Sequence, residues 1–202
     1  MSLWKRLFGG GKSSLPAPHA LTPSRRAAST LSSDDILLTD RSWRTSVLLA
    51  MLLEAEGKSR DSLNLLLNKS LEWMRSSSSE KKTVGLNTLR FLFKGQQLAY
   101  SQDLLDKVLD VFFSDASLAV KLAALDFLGS MSTTPNPLIH VSDAEVKRIT
   151  EFRSKLMKQM NASQHAYTAK GVHGDIARES SGRTHAEALQ NVISRVDGIN
   201  AT

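Results

Sequence analysis

The sequence has no cysteine, few aromatic residues and no long apolar run. Aromatic side chains make up 6% of the 202 residues. Without cysteine the chain can form neither disulfides nor thiolate metal sites, which fits a reducing compartment. No apolar run approaches the roughly 20 residues that a membrane-spanning helix needs. The N-terminus also lacks the apolar region and small-residue cleavage site of a secretory signal. We therefore expect a cytoplasmic location.

Acidic residues are missing from one end of the chain. Residues 1–33 contain no aspartate or glutamate, although the chain as a whole has 20. The five bases of this stretch account for most of the net charge of +6, and they are Lys5, Arg6, Lys12, Arg25 and Arg26. The middle of the chain is nearly neutral. A positive excess at the ends favours anionic partners, either lipid head groups or nucleic acid.

The first eight residues read MSLWKRLF. On a helix their four large apolar side chains share one face and their two cations lie on the other, which is typical of a helix at a membrane surface. The predicted membrane-binding residues are Leu3, Trp4, Lys5, Arg6, Leu7 and Phe8. Such an attachment would place the protein at the inner face of a membrane. The alternative is that this segment docks into a protein core.

From residue 34 onwards the apolar residues recur with the spacing of a helix, and no stretch has a convincing strand pattern. We predict an amphipathic N-terminal helix at 1–8, a flexible basic linker at 9–33, a helical core at 34–161, a flexible segment at 162–183 and a C-terminal helix at 184–198. Within the core we expect a short turn at 34–38 and then helices at about 40–56, 59–75, 80–94, 101–113, 115–131 and 142–160. The fold class is therefore all-α.

Capping residues set several of these limits. Gly57 and Gly95 should stop the helices that precede them, since glycine favours helix ends. Serines and threonines should cap others by accepting from free amide hydrogens of the first turn. The single caps are Ser59 and Ser101, and the capping boxes are Ser142–Glu145 and Thr184–Glu187. The most apolar helix should start at Asp115 and end at Gly129.

Three core helices share one apolar pattern, at offsets of 37 and then 36 residues along the chain. The pattern reads Val-x-Leu-x-x-Leu and begins at Val47, Val84 and Val120. Repetition at such a spacing predicts helix hairpins that bury their apolar faces on one another. The alternative is an irregular helical bundle.

The stretch 115–129 has an aspartate at Asp115, a valine followed by a lysine at Val120 and Lys121, and small residues at Ala123 and Ala124 where helices would touch. This pattern resembles a HEAT or armadillo-like repeat. The other two copies differ, since Ser42 and Ser79 stand at the aspartate position, and Leu48 and Gly85 at the basic one. The resemblance implies stacked antiparallel hairpins and a protein-binding scaffold.

No arrangement typical of catalysis or metal binding is evident. None of the five histidines has a second histidine at the i, i+4 spacing of a zinc helix. Asp103, Asp106 and Asp110 line one side of a helix and are interpreted as a solvated face. We therefore expect no catalytic residues, no metal site, no cofactor and no enzymatic activity.

The helix at 147–158 is strongly basic. Its cations could form a solvated outer face or bind anionic phosphates, with an affinity that falls steeply as salt rises. The candidate anion-binding residues are Lys147, Arg148, Arg153, Lys155 and Lys158.

Three functions follow from these patterns. The first is a non-enzymatic protein-interaction scaffold that associates peripherally with an anionic membrane through its N-terminus. The second is a viral matrix-type or accessory structural protein, because the order of parts is similar to that of matrix proteins of negative-strand RNA viruses. The third is a nucleic-acid-binding module that uses both basic ends. The corresponding partners are another protein, an anionic membrane surface, RNA and a second copy of the chain.

Overall fold

The computed structural model describes residues 33–96, 101–130, 142–162 and 169–200. The helices in these ranges are α1 (Ser33–Ala55), α2 (Arg60–Met74), α3 (Ser79–Gln96), α4 (Gln102–Ser114), α5 (Leu118–Ser130), α6 (Asp143–Ala162), α7 (Ala169–Glu179) and α8 (His185–Asp197). These ranges contain no strand, and the predicted all-α fold class is confirmed. The predicted helix at 1–8 and nearly all of the linker at 9–33 lie outside the described residues.

Helix α3 is the central element, because α1, α2 and α5 all pack against it. Small residues permit two of these contacts. The Ser46 hydroxyl of α1 lies 3.1 Å from the carbonyl oxygen of Val84 in α3. On the other side, a Cβ added at Gly85 would lie 2.6 Å from the carbonyl oxygen of Ser70 in α2. The backbones of α2 and α3 therefore cross at a separation that only glycine permits.

The core consists of two apolar clusters. The first joins α3, α4, α5 and α6 with Ile36 of α1 and Met74 of α2, and its fully buried aromatic side chains are Phe112, Phe127 and Phe152. The second joins α1, α2, α3 and α8 around Leu49 and Trp73. Nine residues of α5 are buried, as expected for a helix that is apolar around most of its circumference. Helix α1 contributes to both clusters and so connects the two halves of the fold.

Several predicted caps are confirmed. The Ser59 hydroxyl accepts from the Ser62 amide at 3.2 Å, and the Ser101 hydroxyl accepts from the Leu104 amide at 3.1 Å. Thr184 and Glu187 form both halves of the predicted capping box. Gly57 follows α1 with a φ of 91°, a conformation that costs glycine little.

The prediction for Ser142–Glu145 is only half correct. The Ser142 hydroxyl accepts from the Glu145 amide at 3.3 Å, so the serine caps α6 as expected. The Glu145 carboxylate instead pairs with Lys121 of α5. A charged partner on another helix has replaced the reciprocal half of the capping box.

Other predicted helix limits differ from those in the structure. The expected turn at 34–38 is part of α1, because Ile36 is buried in the first cluster and Asp34 and Asp35 suit the positive end of a helix. Helix α3 continues through Gly95 to Gln96. Asp115 is the C-terminal cap of α4, and α5 begins three residues later, at Leu118. The Asp115 carboxylate still accepts from the Ser117 amide just before α5 at 2.8 Å, and its other oxygen pairs with Lys82 at 2.6 Å. Gly129 lies inside α5 and does not end it.

The C-terminal part is more structured than the sequence indicated. Helix α7 occupies Ala169–Glu179, inside the segment 162–183 that we expected to be flexible. Helix α8 is not separate from the core, because it packs against α1 and α2 and its apolar residues belong to the second cluster. The side chain of Arg195 in α8 also pairs with the buried Glu179 at the end of α7, at 2.8 Å.

The helices that carry the repeated pattern contact one another in succession, α1 with α3 and α3 with α5. Val84 and Val120 are both buried, as are the two leucines of each pattern, whereas Val47 is only half-buried. Helices α2 and α4 make their main contacts with the helix that follows each of them. The three helices that carry the pattern, α1, α3 and α5, therefore pack side by side in chain order. Membership of a repeat family stays a prediction.

Candidate interaction surface

The described residues do not form a metal centre or a membrane span. No group of three or more histidine, aspartate or glutamate side chains in this part of the chain could hold a metal ion. None of the described helices is both long and apolar enough to cross a membrane. His173 is exposed and His185 half-exposed, while His19, His140 and His165 lie outside the described residues.

The aspartates of α4 form a solvated face, in agreement with their interpretation from the sequence. Asp103 is 73% exposed and pairs with Lys107 of the same helix. Asp106 accepts from the side-chain amide of Gln102 at 2.7 Å, and Asp110 is exposed. Asp103 and Asp106 therefore have partners on their own helix, and all three aspartates face water.

A shallow groove lies between α2 and the start of α8. Its lining includes Ser62, Arg183, Glu187 and Gln190. The Glu187 carboxylate already accepts from the Thr184 amide at 2.8 Å as part of the capping box. The Glu187 side chain therefore stabilises the start of α8.

The C-terminal residue of α8 anchors that helix to the core. The Trp73 indole N–H donates to the Asp197 carboxylate at 2.7 Å, and the Lys69 ammonium lies 2.9 Å from its other oxygen. The Lys81 ammonium donates to the backbone carbonyl of Asp197 at 2.8 Å. Burial raises the pKa of Asp197, but the hydrogen bonds from Trp73 and Lys69 outweigh it and hold the pKa below its usual value. The same hydrogen bond to Asp197 raises the pKa of Lys69.

A second charged cluster joins four helices around Asp126 of α5. Its carboxylate pairs with Arg153 of α6 and lies 3.6 Å from the Arg90 guanidinium of α3. Arg90 also stacks 5.5 Å from the ring centre of Trp43 in α1, and that ring contacts Phe91. Burial raises the pKa of Asp126, and the two guanidinium groups counteract this effect only in part. The sequence analysis missed this cluster, because its members are far apart along the chain.

The five basic residues predicted on α6 do not form one group. Arg153 lies on the inner side of the helix in its ion pair with Asp126, so we remove it from the candidate anion-binding set. Lys147, Arg148, Lys155 and Lys158 are exposed. We call these four residues the basic face of α6.

Glu151 lies among the four cations of the basic face. The distance between the Lys147 ammonium and the Glu151 carboxylate is 4.0 Å, and Lys147 remains 78% exposed. The opposite side of α6 is an apolar stripe made of the buried residues Ile149, Phe152 and Leu156. Four cations and one acid leave the face with a net charge of about +3.

A set of contacts brings the first turns of three helices to one end of the fold. The Ser117 hydroxyl, just before α5, donates to the Asp35 carboxylate of α1 at 2.8 Å. One turn into α5, Lys121 pairs with Glu145 in the first turn of α6. The start of α1, where residues 1–32 join the described chain, therefore lies beside the start of α6.

The predicted membrane-binding residues, Leu3 to Phe8, lie outside the described part of the chain. The structure neither brings them to the basic face of α6 nor separates them from it. No protein-family model matches this chain, and comparisons with curated proteins and with solved structures gave no significant match.

Proposed function

We propose that this chain is a non-enzymatic helical scaffold that binds a protein partner through its core and attaches to an anionic membrane through its N-terminal segment. The observation that carries the proposal is the separation of charge along the chain. Residues 1–33 hold five bases and no acid, and the same stretch begins with the apolar side chains of Leu3, Trp4, Leu7 and Phe8. Apolar rings that enter the head-group region beside cations that attract anionic lipid are the two requirements for binding at a membrane surface.

The use of charged groups in the core supports a non-enzymatic role. The three side chains with shifted pKa values, Lys69, Asp126 and Asp197, all make ion pairs that hold one helix against another. Perturbed pKa values are common at active sites, but structural ion pairs produce them as well. Here the geometry accounts for each shift through helix packing.

Flotation of the full chain with lipid vesicles tests the membrane part of the proposal. We expect binding to vesicles that contain phosphatidylserine and little binding to pure phosphatidylcholine. Trp4→Glu should abolish binding, because a charge replaces the largest apolar ring of the segment. Ser14→Glu is the matched control: it introduces the same negative charge at 9–33, leaves Trp4 in place and should retain most of the binding.

Two results would contradict the proposal: no flotation of the wild-type chain, or equal flotation of the Trp4→Glu variant. RNA binding that persists in Trp4→Glu and falls steeply with salt would support the nucleic-acid alternative. Ordered self-assembly on the vesicles would favour the matrix-type alternative.

A further inference from the structure

We infer that the basic face of α6 is a second membrane contact, which binds the head groups of the same anionic bilayer as the N-terminal segment. This inference rests on the proposed function, since it adds a second contact to the same attachment. The ligand chemistry is that of an anionic lipid surface, in which negative groups are spread over a plane rather than gathered in a pocket.

The four cations are arranged as a planar surface would require. An α-helix turns by about 100° per residue, so Lys147, Arg148, Lys155 and Lys158 fall within an arc of about 100°. At a rise of about 1.5 Å per residue they extend along roughly 16 Å of the helix. A row of this length can contact several head groups at once.

The basic face is held in a fixed orientation. On the inner side of α6, Phe152 is fully buried in the first apolar cluster. Arg153 pairs with Asp126, and Glu145 at the start of the helix pairs with Lys121. Rotation of α6 would break both ion pairs and expose the apolar stripe. The exposed lysines therefore lose only side-chain freedom when they meet a charged surface.

The N-terminal segment joins the fold at the end where the basic face begins. The contacts of Ser117 with Asp35 and of Lys121 with Glu145 bring the first turns of α1, α5 and α6 together. Between Phe8 and Ser33 there are 24 residues, rich in serine, alanine and proline. The sequence predicts a flexible linker here, and a flexible chain of this length has a root-mean-square reach of about 27 Å. That reach exceeds the length of the basic face, so both contacts can meet one bilayer.

A second membrane contact would also explain how the short N-terminal segment can attach the chain stably. A short amphipathic segment binds a membrane only marginally by itself, and stable attachment usually takes two signals. A lysine near an anionic membrane contributes a factor of about five in partitioning, and this contribution decays within a Debye length of roughly 10 Å. Three lysines together should therefore contribute roughly a hundredfold.

Vesicle partitioning of the full chain tests the inference. The test variant is Lys147→Gln/Lys155→Gln/Lys158→Gln, which removes three exposed charges and none of the buried contacts. The control variant is Arg60→Gln/Arg75→Gln/Arg183→Gln, which removes the same charge from exposed positions outside α6. The test variant should partition roughly a hundredfold more weakly into phosphatidylserine vesicles, and the control should change much less. Circular dichroism and thermal melting should show both variants folded.

Several outcomes would overturn the inference. If Trp4→Glu abolishes binding but the α6 variant binds like wild type, the N-terminal attachment stands and the second contact is wrong. If both triple variants weaken equally, only net charge matters and the basic face has no special role. If the α6 variant keeps its vesicle binding but loses binding to single-stranded RNA, the face is a nucleic-acid contact instead. If the wild-type chain fails to bind, the proposed function and the inference both fail.

Discussion

Replacing Gly85 with alanine should destabilise the protein, although alanine is the better helix former. Gly85 lies inside α3, where an alanine would normally stabilise a helix by about 1 kcal/mol. The added Cβ would instead meet the Ser70 carbonyl oxygen at 2.6 Å and the Met74 amide nitrogen at 2.9 Å. Both atoms belong to the backbone of α2, so no side-chain rotation can relieve the contact.

The magnitude follows from the displacement that the new methyl group demands. The Cβ–oxygen contact is about 0.8 Å shorter than the 3.4 Å at which ordinary van der Waals contact begins. Overpacking of this kind typically costs about 1–3 kcal/mol. Because two backbone atoms are involved, we expect a cost near the top of that range. After the gain in helix propensity, the free energy of unfolding should fall by about 2 kcal/mol, which lowers Tm by roughly 4–8 °C in a domain of this size.

Gly174 provides the matched control, because it is also a helical glycine but has no atom within 4 Å of an added Cβ. Gly174→Ala should be neutral or should stabilise by up to about 1 kcal/mol. Urea unfolding followed by circular dichroism measures both variants, and the opposite signs are the diagnostic result. If Gly85→Ala were as stable as wild type, the close crossing of α2 and α3 would be wrong, and so would the central position of α3.

Two further predictions concern the partly exposed carboxylate of Asp197 and the buried hydroxyl of Ser42. Because the pKa of Asp197 lies below its usual value in the folded protein, its stabilising effect should be present above about pH 4 and lost as pH falls through the folded-state pKa. Asp197→Asn should cost about 1 kcal/mol near neutral pH, a modest figure because the carboxylate is 35% exposed. The difference in Tm from wild type should vanish in acid, and a difference that is independent of pH would contradict the assignment. Ser42→Ala should stabilise the protein by up to about 1 kcal/mol, because the Ser42 hydroxyl is buried with no hydrogen-bond partner among the described residues. A loss of stability in chemical unfolding would show that this hydroxyl does have a partner.

Local sequence signals predicted local structure well. The side chains of Ser59, Ser101 and Thr184 cap the helices that follow them, because a cap needs only a hydroxyl and the next few amide groups. Gly57 marks the end of α1 for an equally local reason. Helix α5 could be recognised as a buried helix because apolar residues cover most of its circumference.

Errors arose where a distant residue competes for a local group. Asp115 was expected to start α5, but it ends α4, and its carboxylate is shared between the Ser117 amide and the distant Lys82. Glu145 pairs with Lys121 instead of closing its capping box. Helix α7 is short and has two glycines among its 11 residues, and the sequence analysis missed it. Its Ile176 packs against the second apolar cluster, a contact that no local pattern reveals.

The sequence alone determined that the chain is helical, where most helices begin and end, and that its positive charge lies towards its ends, since periodicity, caps and charge are properties of neighbouring residues. Only the tertiary structure decided which charges are used inside the protein. Arg153 and Lys155 are equivalent in the sequence, yet one pairs with Asp126 and the other faces water. The difference depends on how α6 is rotated against α5, and that rotation is set by the packing of Ile149, Phe152 and Leu156 in the core. Burial therefore separates structural cations from those that remain exposed to a partner.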